Sequence, residues 1–103
     1  MKSILSDQAK LQIRTIARYI RMEFGKNHRD EFMQTVRHAR RLIEDNPQIG
    51  QIEPLLVELP KVYRSYVMNH HNKIVYRIEN DTIFIADLWD VRRNPETLIN
   101  QLE

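Results

Sequence analysis

Apolar residues in the first half of the chain recur at intervals of three and four. Ala9, Ile13, Ile16, Ala17, Ile20 and Phe24 trace one face of a helix. Ser6 or Asp7 caps its start, and Gly25 ends it, since glycine takes a left-handed C-cap at no steric cost. Phe32, Val36, Ala39, Leu42 and Ile43 predict a second helix. Asn27 would cap it, Asp30 and Glu31 lie near its positive end, and Asn46-Pro47 stops it. A link of two or three residues (from Gly25 to Asn27) would make the pair an antiparallel hairpin.

After Gly50 the pattern turns to β. Strands are predicted at 55–59, closed by Pro60, and at 62–69, 73–79 and 82–90, with a short one at 2–5. His70-His71 and Asn80-Asp81 read as two-residue hairpin turns. Asn94-Pro95-Glu96 opens a short helix over 95–102, with proline at its first position. The order is β-α-α-β-β-β-β and a short helix. That is an α+β fold, with the N-terminal helical hairpin packed on one face of an antiparallel sheet. The other face is expected to be partly open.

Composition narrows the function classes. The chain has 103 residues and reads as a single domain, 1–103. It has no cysteine, which removes disulfides, thiolate metal sites and a cysteine nucleophile, and fits a reducing cytoplasm. No apolar run approaches the roughly 18 residues of a membrane span. No cofactor or metal motif stands out: the adjacent pair His70-His71 would point apart, and there is no glycine-rich phosphate loop. Net charge is +2, but residues 1–50 hold ten Lys/Arg against six Asp/Glu, while 51–103 hold six against eight. The helical half is the basic half, which suits an acidic partner. Lys10, Arg14, Arg18 and Arg21 form a basic stripe on the first helix, the ordinary pattern of a solvated face.

The two hairpin turns fix a register. A turn centred on His70-His71 sets Arg64 opposite Arg77 and Tyr66 opposite Val75. A turn at Asn80-Asp81 sets Arg77 opposite Phe84 and Tyr76 opposite Ile85. Val67, Ile74, Tyr76, Ile78, Ile83 and Ile85 then form the core face, and Trp89 has core-facing parity. The other face carries Arg64, Tyr66, Lys73, Val75, Arg77, Phe84 and Ala86, and by extension Arg92. Either these arginines find carboxylates such as Glu58, Glu79 or Asp90, or the face receives a polyanion or an acidic protein segment, which guanidinium forks suit.

Three strings carry a family resemblance: Val62-Tyr63-Arg64-Ser65-Tyr66, then Lys73-Ile74-Val75-Tyr76-Arg77-Ile78-Glu79-Asn80-Asp81, then Ile85-Ala86-Asp87-Leu88-Trp89-Asp90-Val91-Arg92-Arg93-Asn94-Pro95. Together they resemble the RelE/ParE toxins, over nearly the whole chain. The resemblance implies the toxin of a type II toxin–antitoxin (plasmid stabilisation) pair, neutralised by a small antitoxin. RelE-like members cleave mRNA on the ribosome; ParE-like members poison DNA gyrase. Arg64 matches a strand arginine that binds the scissile phosphate in the nucleases. With Arg77 and Arg92 it would make the catalytic set, helped by Glu58 or Lys61 for proton transfer. The C-terminal positions where the nucleases carry tyrosine or histidine are here Val91, Arg92 and Arg93. Arginine stabilises charge but shuttles protons poorly. This departure tilts the expectation to the ParE-like branch, with Arg64, Tyr66, Arg77, Arg92 and Arg93 as a target-binding surface. The third reading is a toxin-fold interaction module without toxicity. A strip on the hairpin would serve the antitoxin or a homodimer.

Overall fold

The computed structural model describes residues 1–92 and 95–102. Its elements are β1 (Lys2–Leu5), α1 (Asp7–Phe24), α2 (Lys26–Asp45), β2 (Gln51–Ile52), a 3-10 turn (Pro54–Leu56), β3 (Arg64–Val67), β4 (Asn72–Glu79), β5 (Thr82–Asp90) and α3 (Pro95–Leu102). The strands form one sheet in the order β1-β5-β4-β3-β2. The expected α+β architecture holds, with one refinement: β1 pairs with β5 in parallel, so the sheet is mixed.

Ser6 caps α1, its hydroxyl accepting from the Ala9 N–H at 3.0 Å. Gly25 alone joins the helices. It ends α1 through its N–H to Arg21 O at 3.0 Å and opens α2 by accepting from Arg29 N–H at 3.2 Å. Its φ of 95° reverses the chain in one residue, which glycine tolerates best. The expected longer link and the Asn27 cap are therefore corrected: Asn27 lies inside α2, whose start has no side-chain cap. Asn46 ends α2 as expected, and the 95–102 helix is present, while the proposed cap Asn94 lies outside the described residues.

The predicted strand at 55–59 is also corrected. Pro54 and Pro60 flank it, and neither can donate to a ladder. The segment coils instead, with Leu56 N–H to Glu53 O and Leu59 N–H to Leu56 O, both at 3.1 Å. Leu56 and Leu59 thus face the same way, onto the sheet. The strand that fills this place in the order is the two-residue β2.

The Asn80-Asp81 turn is as expected, with φ of 52° and 57°, the pair of left-handed residues that a type I′ hairpin needs. The turn before β4 is longer. Asn69 Oδ1 accepts from the N–H groups of His71 and Asn72 at 2.9 and 2.8 Å, and Met68 N–H reaches Asn72 O at 2.9 Å. This asparagine-built turn moves the pairing by one residue. Arg64 faces Tyr76, Tyr66 faces Ile74 and Val67 faces Lys73. A one-residue slip moves a whole strand's side chains to the opposite face. Arg64 and Tyr66 accordingly join the helix side, and Val67, expected in the core, is 62% exposed. A second irregularity lies in β5: Tyr76 opposes Ile85 but Val75 opposes Asp87, leaving Ala86 as a bulge.

The sheet therefore has two cores. On one face Ile74, Tyr76, Ile83, Ile85 and Leu88 pack against Ala9, Ile13, Phe32, Val36, Ala39 and Ile43 of the hairpin. On the other, Tyr63, Val75 and Trp89 pack against Leu56 and Leu98, with Leu59, Ile99 and Leu102 alongside. The second face is covered at its centre by the 3-10 turn and α3 and stays open beside Arg77. Trp89 is buried there, on the side opposite to that expected, because the bulge flips the parity. No described helix is long and apolar enough to cross a membrane.

Candidate functional site

The three arginines expected on one face are not together. Arg64 lies on the helix side and donates to the Gly50 carbonyl at 2.7 Å. Beside it the Tyr76 hydroxyl donates to Pro47 O at 2.8 Å and accepts from Gly50 N–H at 2.9 Å. Burial pushes the Tyr76 phenol above its ordinary value, although the Gly50 hydrogen bond and the Arg64 charge pull it back. A Cβ on Gly50 would come within 2.7 Å of the Tyr76 hydroxyl and 2.8 Å of Ser65 O, so the close approach requires glycine. This cluster ties the segment after α2 to the sheet. Tyr66 packs with the helix-side core.

Arg77 is on the second face, as expected, opposite Phe84. Its guanidinium carbon lies 4.5 Å from the Phe84 ring centroid, a cation–π contact that holds the head flat. It borders a cleft of about 390 Å³ lined by Leu59, Pro60, Lys61, Tyr63 and Leu102. Glu79 stands between two cations here, accepting from Lys61 Nζ at 3.3 Å and from Arg77 Nη1. The hydrogen bond from Lys61, then the charges of Lys61 and Arg77, hold Glu79 below the usual carboxylate range. Phe84, Ala86, Ser6 and Gln8 extend the cleft towards the start of α1.

Arg92 lies past the end of β5. Its side chain clasps Asp90 through Nε–Oδ1 at 3.0 Å and Nη2–Oδ2 at 2.8 Å, and its backbone N–H adds a third bond at 2.8 Å. The arginine hydrogen bonds draw the Asp90 carboxyl down to about 2. The Arg92 side chain is 67% exposed. Arg93 lies outside the described residues. Lys61 sits at the cleft rim, whereas Glu58 is an exposed turn residue away from the strand position expected for it.

One buried polar group escaped the sequence reading. Glu53, 1% exposed, pairs with Lys73 and accepts from Ser65 Oγ at 3.3 Å. Its backbone N–H also bonds Tyr63 O at 2.9 Å, extending the β2–β3 pairing by a step. A carboxylate just before Pro54 looks like a surface turn residue in sequence. Only the pairing of β2 with β3 brings it beneath Lys73. Among the described residues no group of three His, Asp or Glu side chains could hold a metal ion.

A helical hairpin on a mixed sheet with a short C-terminal helix is the fold of the small toxins of type II toxin–antitoxin systems. The profile of one such family, "ParE toxin of type II toxin-antitoxin system, parDE", matches residues 4–95, and the chain belongs to that family. Among solved structures it is similar to the chromosomal ParDE system from P. aeruginosa, with 15% identity, a TM-score of 0.73, and 89% of this chain and 97% of that chain covered. It is also similar to the YoeB dimer from Staphylococcus aureus, with 21% identity, a TM-score of 0.60, and 86% and 94% covered. The YoeB–YefM heterotetramer from the same organism matches at 22% identity and a TM-score of 0.57, with 86% and 94% covered. No curated protein matches at a significant level. At these identities the structural likenesses establish the fold.

Proposed function

We propose that this toxin is ParE-like in action: it binds a protein target such as DNA gyrase in the bacterial cytoplasm, and its cognate antitoxin holds it off. The carrying observation is the chemistry of the second face. Arg77 and Lys61 present cations there, Arg92 presents another past the end of β5, where the bulge has moved Asp90 off that face, and the acids beside these groups are held ionised by them. Glu53 is buried in an ion pair. Metal-independent RNA cleavage needs one group to take the 2′-OH proton and another to protonate the leaving oxygen. A guanidinium surface instead suits recognition of carboxylates or phosphates. Arg77 and Arg92 are the proposed target contacts, with Arg93 adjoining in sequence. Arg64 and Tyr66 leave the set.

The test is a supercoiling assay with purified, antitoxin-free protein, gyrase, ATP and relaxed plasmid. Inhibition, or accumulation of cleaved plasmid, is expected. Unimpaired supercoiling together with new cuts at translated codons of a reporter mRNA would replace this reading with the RelE-like one. One observation favours that alternative: Lys61 and Arg77 converge on a single anion at the cleft, a pair able to hold a phosphate. In that case Lys61 or Glu58 becomes the proton-transfer candidate. No growth arrest on expression would leave the non-toxic interaction module.

A further inference from the structure

The geometry points to Glu79 as a built-in occupant of a carboxylate seat, displaced when a carboxylate-bearing segment of the protein target enters the cleft beside Arg77. The inference rests on the reading above, in which the partner is a protein, and names the side chain of that partner that the site recognises.

Arg77 borders three adjoining cavities. One of about 310 Å³ is lined by Lys61, Val62, Ile78 and Glu79. The other two are the cleft of Leu59, Tyr63 and Leu102 and its extension past Phe84 and Ser6. Among the described residues that line them, the charged ones are Lys61 and Arg77 on one side of the balance and Glu79 on the other. With Glu79 in place the two cations are half answered. With Glu79 turned aside they face the cleft as an unanswered pair.

Glu79 is built to be removable, and Arg77 is built to stay. The Glu79 side chain is 44% exposed and that of Lys61 54%, so their pairing adds little to folding. Glu79 ends β4, and its place in the ladder is held by backbone pairing with Thr82. Its carboxylate can rotate into solvent without opening the sheet. Arg77 has a second support, the Phe84 ring 4.5 Å from its guanidinium carbon. Only its Nη1 donates to Glu79; Nε and Nη2 have no hydrogen bond among the described residues. The fork therefore keeps two donors for an incoming carboxylate.

The walls select the kind of anion. The present occupant is a carboxylate, so the separation of Lys61 Nζ and Arg77 Nη1 already fits one. Leu59, Pro60, Tyr63 and Leu102 continue from the seat as an apolar wall. A phosphodiester buries nothing on that wall. An Asp or Glu with a large apolar neighbour uses both the wall and the cations.

The test is titration of the purified chain with the blocked peptide acetyl-leucyl-glutamyl-leucinamide, followed by NMR at the Arg77 side-chain N–H signals. E79Q is expected to bind the peptide about three- to tenfold more tightly than wild type, the gain from freeing exposed ion pairs. D81N removes the same charge from the neighbouring turn, where Asp81 holds no ion pair among the described residues, and should bind like wild type. Adding R77A to E79Q should abolish the gain. In the supercoiling assay E79Q should inhibit at a several-fold lower concentration. Both single variants lie on the surface, and circular dichroism should show the wild-type fold. Equal or weaker peptide binding by folded E79Q overturns the proposal, since Glu79 would then be positioning Arg77. A gain in D81N equal to that in E79Q also overturns it, as an effect of general charge. A larger gain for inorganic phosphate than for the peptide assigns the seat to phosphate and overturns it as well. The peptide gain in E79Q beside unimpaired supercoiling by wild type supports the seat and overturns the gyrase reading alone.

Discussion

The two faces of the sheet are built from the same strands but use their polar residues in opposite ways. On the helix side, two helices bury a continuous apolar layer, and the polar groups that enter it work inwards. Arg64 and Tyr76 bind the backbone of Pro47 and Gly50. On the other side the cover is a 3-10 turn and an eight-residue helix. That cover protects Trp89, Val75 and the Glu53–Lys73 pair but stops short of Arg77. The lesson is that an arginine's role here follows from its face and not from its residue type. Arg64 holds the Gly50 carbonyl because a turn moved it by one position. Arg77 is available because its strand kept the predicted register with Phe84.

Breaking the thin cover should have the largest effect. Trp89 is 1% exposed, and Trp89→Ala removes the largest side chain of the second core. A loss of about 3–5 kcal/mol is expected, measured by urea unfolding. A loss under about 1 kcal/mol would mean that the second face is not a true core.

The buried ion pair gives a change of similar size with a sharper control. Glu53→Gln leaves the Lys73 ammonium, only 14% exposed, without its counter-charge. About 3 kcal/mol of destabilisation is expected, and the double variant Glu53→Gln/Lys73→Met should recover most of it. A double-mutant cycle reads this directly. Additive losses would show that the pair does not act as a unit.

The arginines themselves separate the faces. Arg64→Ala should cost about 1–2 kcal/mol by leaving the Gly50 carbonyl without its donor, with target inhibition preserved per folded molecule. Arg77→Ala should leave the melting temperature within a degree or two and reduce target inhibition at least tenfold. The opposite pattern would place the functional surface on the helix side.

Much of this was legible in the sequence, for particular reasons. The helix stripes, Ser6, the Asn80-Asp81 turn and the Thr82–Asp90 strand each carry a strong local signal, and each is present. Three features were hidden. Asn69 sets a longer turn through its side chain, a choice that the adjacent histidines masked. The bulge at Ala86 has no local marker, since alanine fits either parity. The apolar residues of 55–59 suit a strand, but the flanking prolines and the Leu56–Leu59 spacing favour the coil that forms. The candidate site suffered most, because a shared face depends on register along its whole length, and one slipped turn was enough to separate Arg64 from Arg77. The basic hairpin was visible as a charge imbalance.

The smallest effect concerns the exposed end of β5. Asp90 has a carboxyl drawn down to about 2 from 3.8, chiefly by the Arg92 hydrogen bonds. A group whose folded pKa is depressed contributes stability above its unfolded pKa and loses it as pH falls through the folded one. The Asp90–Arg92 contribution should therefore be complete above about pH 4 and gone near pH 2. Arg92 is largely exposed, so solvent screening keeps the contribution small. Asp90→Asn should flatten the stability profile between pH 4 and 2 and change little at pH 7. It should also free the Arg92 guanidinium, so a modest gain in target inhibition is expected if Arg92 is a contact. An unchanged acid limb in Asp90→Asn would show that the clasp does not order Arg92 in solution. Arg77, held by Phe84 as well as by Glu79, would then be the more constrained of the two guanidiniums.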